Sequence, residues 1–155
     1  CHREDPLKVI RSVCAESKET DMLRMMEAIR GHPSFAMHGP EHHALVPGVI
    51  LATYRNLGGA VDALQVSAAI DRGALLPGGS CGYMGGCSAA IGAGVAFAML
   101  LGSNPLNPEP RRLSQKITAR ILDRVADIAA VRCCRRECAI VLMAAAEISE
   151  DVLPL

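Results

Sequence analysis

The sequence predicts an all-α protein, and three observations carry that expectation. Apolar residues recur three and four positions apart through most of the chain, and no stretch alternates apolar and polar residues as a half-buried strand does. The material for a core is Ala, Leu, Ile, Val and Met, with only two Phe, two Tyr and no Trp. Small side chains of this kind suit helices that approach one another closely.

The elements follow in order. Over residues 6–30, Leu7, Ile10, Val13 and Cys14, then Met22, Met25, Met26 and Ile29, give two short helices, with the polar run Ser17 to Thr20 as the turn between them. Cys14 falls on the apolar stripe and reads as core packing. Gly31-His32-Pro33 ends the second helix. A third helix starts at Pro40, with Glu41 in its first turn as a complement to the helix dipole. Pro47-Gly48 falls inside it and is expected to kink the helix or to free backbone groups, because the apolar pattern resumes at Val49, Ile50 and Leu51. Residues 60–73 form a further helix, with Val61, Leu64, Ala68 and Ile70 expected to face inward and Arg72-Gly73 closing it.

A glycine-rich loop follows, PGGSCGYMGG from residue 77, and sets Cys87 at the mouth of a helix running to Leu101. Ala89, Ala90, Gly92, Ala93, Gly94 and Ala96 leave that helix almost no side-chain bulk, so it is expected to be a buried central helix. The proline-rich stretch 103–110 is a connection. Leu113, Ile117, Ile121, Leu122, Val125 and Ile128 then mark a helix to about Val131, and a last one spans Glu137 to Glu147. The expected architecture is a compact bundle of about six to seven helices around the Gly/Ala-rich one.

Composition narrows the function. A chain of 155 residues is long enough to bury about two thirds of its unfolded surface, so no metal is needed merely to hold it together. Lys plus Arg and Asp plus Glu balance at 16 each, which removes the electrostatic footprint of a nucleic-acid binder. The run from Cys87 to Gly102 is shorter than the roughly 20 residues a membrane-spanning helix requires, so no membrane partner is expected. The charged opening Cys1-His2-Arg3-Glu4-Asp5 is not an export signal, and the seven cysteines lack the spacing of a disulfide framework. A cytoplasmic setting and metal or redox chemistry are the expectation.

Three clusters carry that chemistry: His38, His42 and His43; Cys81 and Cys87; and Cys133, Cys134 and Cys138. Each lies at a loop-to-helix junction, where residues distant in sequence can meet. A helix N-terminus favours a thiolate, and Arg132, Arg135 and Arg136 are expected to act on Cys133 and Cys134 in the same sense. Thiolate and imidazole together select zinc, iron or iron–sulfur centres over calcium or magnesium. The expected ligands are His42 or His43, Cys81, Cys87, and one of Cys133 and Cys134. Glu41, beside the histidines, is the weak candidate for a general base.

The segments MHGPEHHALVPGVILATYRN, LPGGSCGYMGGCSAAIGAGVAFAMLLGSNPL and VRCCRREC resemble, from about Pro6 onward, an uncharacterised domain-of-unknown-function family of anaerobic bacteria and archaea. Fuller members of that family begin with a zinc ribbon ending in Cys-x-x-Cys-His. The resemblance makes Cys1-His2 the remnant of such a ribbon, with residues 1–5 a tail and 6–155 a single helical domain. More distantly, Gly86-Cys87-Ser88-Ala89-Ala90-Ile91-Gly92 is similar to the GCAxxG element of the C-GCAxxG-C-C redox family, which is thought to hold an iron–sulfur centre. Histidine stands here where that family places its first cysteine, which leaves zinc against iron–sulfur open. The functional expectation is a metal-binding redox or metal-handling domain with a redox or enzyme partner, or a homodimer. A zinc- or thiol-dependent enzyme and a helical interaction scaffold are the alternatives.

Overall fold

The computed structural model describes residues 3–131 and 134–154; the expectations for Cys1-His2, Arg132 and Cys133 lie outside the described residues. The described chain is helical without strands: α1 (Pro6–Glu16), α2 (Met22–Arg30), α3 (Glu41–Asn56), α4 (Ala63–Ala74), α5 (Ser80–Tyr83), α6 (Ser88–Leu100), α7 (Pro108–Ala126) and α8 (Cys134–Val152). Local chemistry fixes three of the starts. The Asp5 carboxylate accepts the Leu7 N–H at 3.0 Å with Pro6 in the first turn of α1, and Asp21 accepts the Arg24 N–H at 3.0 Å. Asp62 and Gln65 form a reciprocal capping box at α4.

Helix α3 is the spine. Every residue from His42 to Tyr54 is buried, and α1, α2, α4, α6 and α8 all pack against it. A helix enclosed on all sides has no polar face to present, and the sequence of α3 provides none between Ala44 and Ala52. Helix α6 packs on α3, α4, α7 and α8, burying Ala89, Ala90, Gly92, Ala93, Ala96 and Phe97. The Gly/Ala-rich helix and α3 therefore share the centre.

Pro47 sits inside α3, which continues past it to Asn56. With no N–H, it cannot bond the carbonyl of His43 one turn back, so that oxygen is freed from the helix ladder. Gly73 of α4 and Gly92 of α6 lie against it: a Cβ added at either would stand 2.6 Å and 3.0 Å from His43 O. Bare glycine Cα atoms thus let two helices close on α3 at the level where it is weakest. That clamp holds the first turn of α3, and with it His42 and His43.

Several boundaries differ from expectation. Leu64 is 80% exposed; with the capping box fixing the start of α4, the inward face is Val66, Ala69, Ile70 and Gly73, and Leu64 lies about 200° around the helix from Val66. Helix α7 starts at Pro108, a favoured first position, and stops at Ala126, leaving Ile128 43% and Val131 87% exposed. A short helix, α5, forms within the glycine-rich loop. Helix α8 begins at Cys134 and runs to Val152, so its first turn carries a cysteine, a glutamate and then a second cysteine. No helix among the described residues is long and apolar enough to cross a membrane.

Candidate functional site

The first turns of α3, α6 and α8 and the loop entering α5 surround one pocket of about 130 Å³. That is roughly ten times the 10–15 Å³ one water needs. His42 and His43 line it from α3, Cys81 from α5, Cys87 from the cap of α6, and Cys134, Glu137 and Cys138 from α8. Five of the six ligands expected from sequence thus face the same space. The sixth, Cys133, lies outside the described residues.

Both histidines are oriented by backbone. The Nε2–H of His42 donates to Ala36 O at 3.0 Å, and its ring meets Phe35 edge to face with centroids 4.9 Å apart. Its Nδ1 is buried with no partner among the described residues. His43 donates from Nδ1 to Leu76 O at 3.1 Å. A ring nitrogen that bonds a carbonyl must carry a proton, so in the neutral ring the other keeps its lone pair: Nδ1 in His42 and Nε2 in His43. Burial pushes the His42 pKa down to about 4, against a weaker opposing effect of the Ala36 bond, so the ring is neutral near pH 7.

The sulfurs correct one expectation. Cys87 is the N-cap of α6, as its sequence position predicts, and the Ala89 and Ala90 N–H groups do favour its thiolate. Burial outweighs them, with Glu137 and Cys81 adding to it, and the Cys87 thiol is pushed up rather than down. Cys138 donates to His42 O at 3.7 Å and is pushed by burial to about 12. Nor are Arg135 and Arg136 aimed at thiols. Arg135 pairs with Glu27 at 3.7 Å and Arg136 with Glu137 at 2.9 Å. The cation beside a pocket thiol is Arg30 of α2, 8% exposed, which favours the Cys138 thiolate and donates to Arg135 O at 2.7 Å. Thiols so placed are protonated until something displaces the proton.

Glu41 faces elsewhere. Its carboxylate folds over Gly39, and it lines a separate pocket with Asp5, Pro6 and Leu7 on the α1 side. The carboxylate in the Cys/His pocket is Glu137, 4% exposed, whose Oε2 has no partner among the described residues. Its sequence signal was the spacing Cys134-x-x-Glu137-Cys138, which puts all three on one helix face once the helix starts at 134. His38, in the turn before α3, does not line the pocket. Among the described residues no three His, Cys, Asp or Glu side chains are gathered closely enough to hold a metal ion as they stand.

Fold and pocket together define a class: an all-helical bundle with a thiol-, imidazole- and carboxylate-lined cavity where three helix starts meet. The chain belongs to a family of unknown function, DUF5714, whose family model matches residues 10–155. No protein of curated function and no solved structure matches it.

Proposed function

We propose that this domain binds a soft metal centre, zinc or iron–sulfur, in the pocket between the starts of α3, α6 and α8, and serves metal handling or electron transfer. The observation that carries the reading is the pair of histidines. Each has one ring nitrogen held by a main-chain carbonyl, which is how a protein fixes the tautomer and angle of an imidazole ligand. The neighbouring donors are sulfurs from three different helices, the donor type that selects zinc and iron–sulfur.

The protonated state of Cys87 and Cys138 fits such a role. Metal binding expels thiol protons, so a site whose thiols are buried and neutral without metal binds with a steep dependence on pH. Because no triad is ready-made among the described residues, their side chains must turn into place as the metal enters. When bound, zinc supplies a fixed charge, and an iron–sulfur centre supplies a one-electron couple.

Anaerobic purification followed by metal analysis and visible spectroscopy tests the proposal. A stoichiometric metal content that is lost in Cys87→Ser and retained in Cys14→Ser supports it. Sulfur-to-iron charge-transfer absorption selects the cluster, and a colourless protein with one zinc selects metal handling. Protein that is folded, anaerobic and metal-free, and takes up neither zinc nor iron, refutes it.

A further inference from the structure

The pocket contains an oxygen donor as well as sulfur and nitrogen. Glu137 projects from the first turn of α8 between Cys134 and Cys138, and all three side chains line the cavity. Residues three and four apart share a helix face, so the turn offers sulfur, oxygen and sulfur side by side. Cys87 lies across from it and feels the Glu137 charge directly.

The bonding of Glu137 is lopsided. Oε1 accepts from Arg136 Nη2 at 2.9 Å, while Oε2 and Arg136 Nε are both buried and both without partners among the described residues. An Arg–carboxylate pair frequently closes as a two-pronged fork, Nε to one oxygen and Nη2 to the other. Here one oxygen is anchored and the other is left clear. A carboxylate ligand to a metal is held in this way, one oxygen fixed by an outer hydrogen bond and the other presented to the ion.

We propose that Glu137 Oε2 is a ligand of the metal centre, making the donor set mixed sulfur, nitrogen and oxygen, with Arg136 as its positioning residue. This rests on the metal-binding reading above. A hard oxygen in the set favours a mononuclear zinc or iron(II) site over a cluster held by sulfur alone. The ligand-bearing turn Cys134–Cys138 then acts as one unit, its geometry set by where α8 begins.

The test is a competition titration of metal-free protein with zinc against a chromophoric chelator, for wild type, Glu137→Gln and Arg136→Gln. The expected result is zinc affinity at least tenfold weaker in Glu137→Gln, a smaller loss in Arg136→Gln, and metal-free melting temperatures close to wild type. Removal of an outer-shell partner alone costs about 10–100-fold in other metal sites. A second measurement needs no variant: the zinc-induced infrared difference spectrum of wild type should show a shifted carboxylate stretch. Unchanged zinc affinity in Glu137→Gln, or no carboxylate shift on loading wild type, overturns the assignment while leaving the metal-binding reading intact. If wild type binds neither zinc nor iron, both fall together.

Discussion

Lowering the pH should destabilise the metal-free protein through His42, and the size of the effect follows from its surroundings. The ring is 1% exposed, with Nε2 donating to Ala36 O and Nδ1 enclosed, and burial brings its pKa from 6.5 to about 4. In the unfolded chain the imidazole binds a proton near pH 6.5. Above that pH both states are neutral and the folded state is at full strength. Between pH 6.5 and 4 the unfolded chain takes up a proton that the folded one refuses, so stability falls as pH falls, and below about 4 the loss is complete. At about 1.4 kcal/mol per pK unit, the displacement is worth about 3.5 kcal/mol in total, of which about 2.5 is lost between pH 7 and 4.5. That is a large part of a typical 5–15 kcal/mol margin. The assay is urea denaturation of metal-free wild type and His42→Gln at both pH values, the glutamine amide retaining a donor for Ala36 O. Wild type should lose about 2–3 kcal/mol more than the variant over that interval. Parallel pH profiles, or a His42 resonance titrating near 6.5, would refute the reasoning.

Two further outcomes follow from the same geometry. Gly73→Ala puts a methyl 2.6 Å from His43 O and 2.8 Å from Ala44 Cα, both main-chain atoms of α3, and should cost about 1–3 kcal/mol in urea denaturation; Gly82→Ala, with nothing within 4 Å of its new Cβ, should be neutral to within about 0.5 kcal/mol. Cys14 and Cys138, each fully buried and pushed to about 12, should resist a thiol-alkylating reagent in folded metal-free protein at pH 7 and be modified only when the chain unfolds, as mass mapping of labelled peptides would report.

The sequence was most readable where side-chain chemistry acts locally. The 3.6-residue pattern, Pro40 at the third helix and the small residues after Cys87 placed the helices, because helix starts and amphipathic stripes depend on neighbours a few positions away. Leu64 was misplaced because a leucine at the second position of α4 looks like part of the stripe until the capping box fixes the phase. The true start of α8 at Cys134 was not visible under three arginines and adjacent cysteines. That hid Glu137, whose importance comes from sharing a helix face with two cysteines. Arg30 was hidden for another reason: a basic residue in the last turn of a helix reads as a dipole complement, and only packing of α2 on α8 brings it to Cys138. The Cys87 and Cys138 thiols went opposite to expectation because helix-end N–H groups can be counted from sequence, whereas the depth of burial that opposes them cannot.

The most direct test of the central claim is anomalous diffraction from crystals of protein loaded anaerobically with zinc or iron, recorded on both sides of the metal absorption edge. The account predicts one strong anomalous peak per chain, between the first turns of α3, α6 and α8, within bonding distance of a His42 or His43 ring nitrogen and at least two pocket sulfurs, about 2.0–2.3 Å for zinc. Fully loaded crystals with no peak there, or with the metal only on the protein surface, would contradict it.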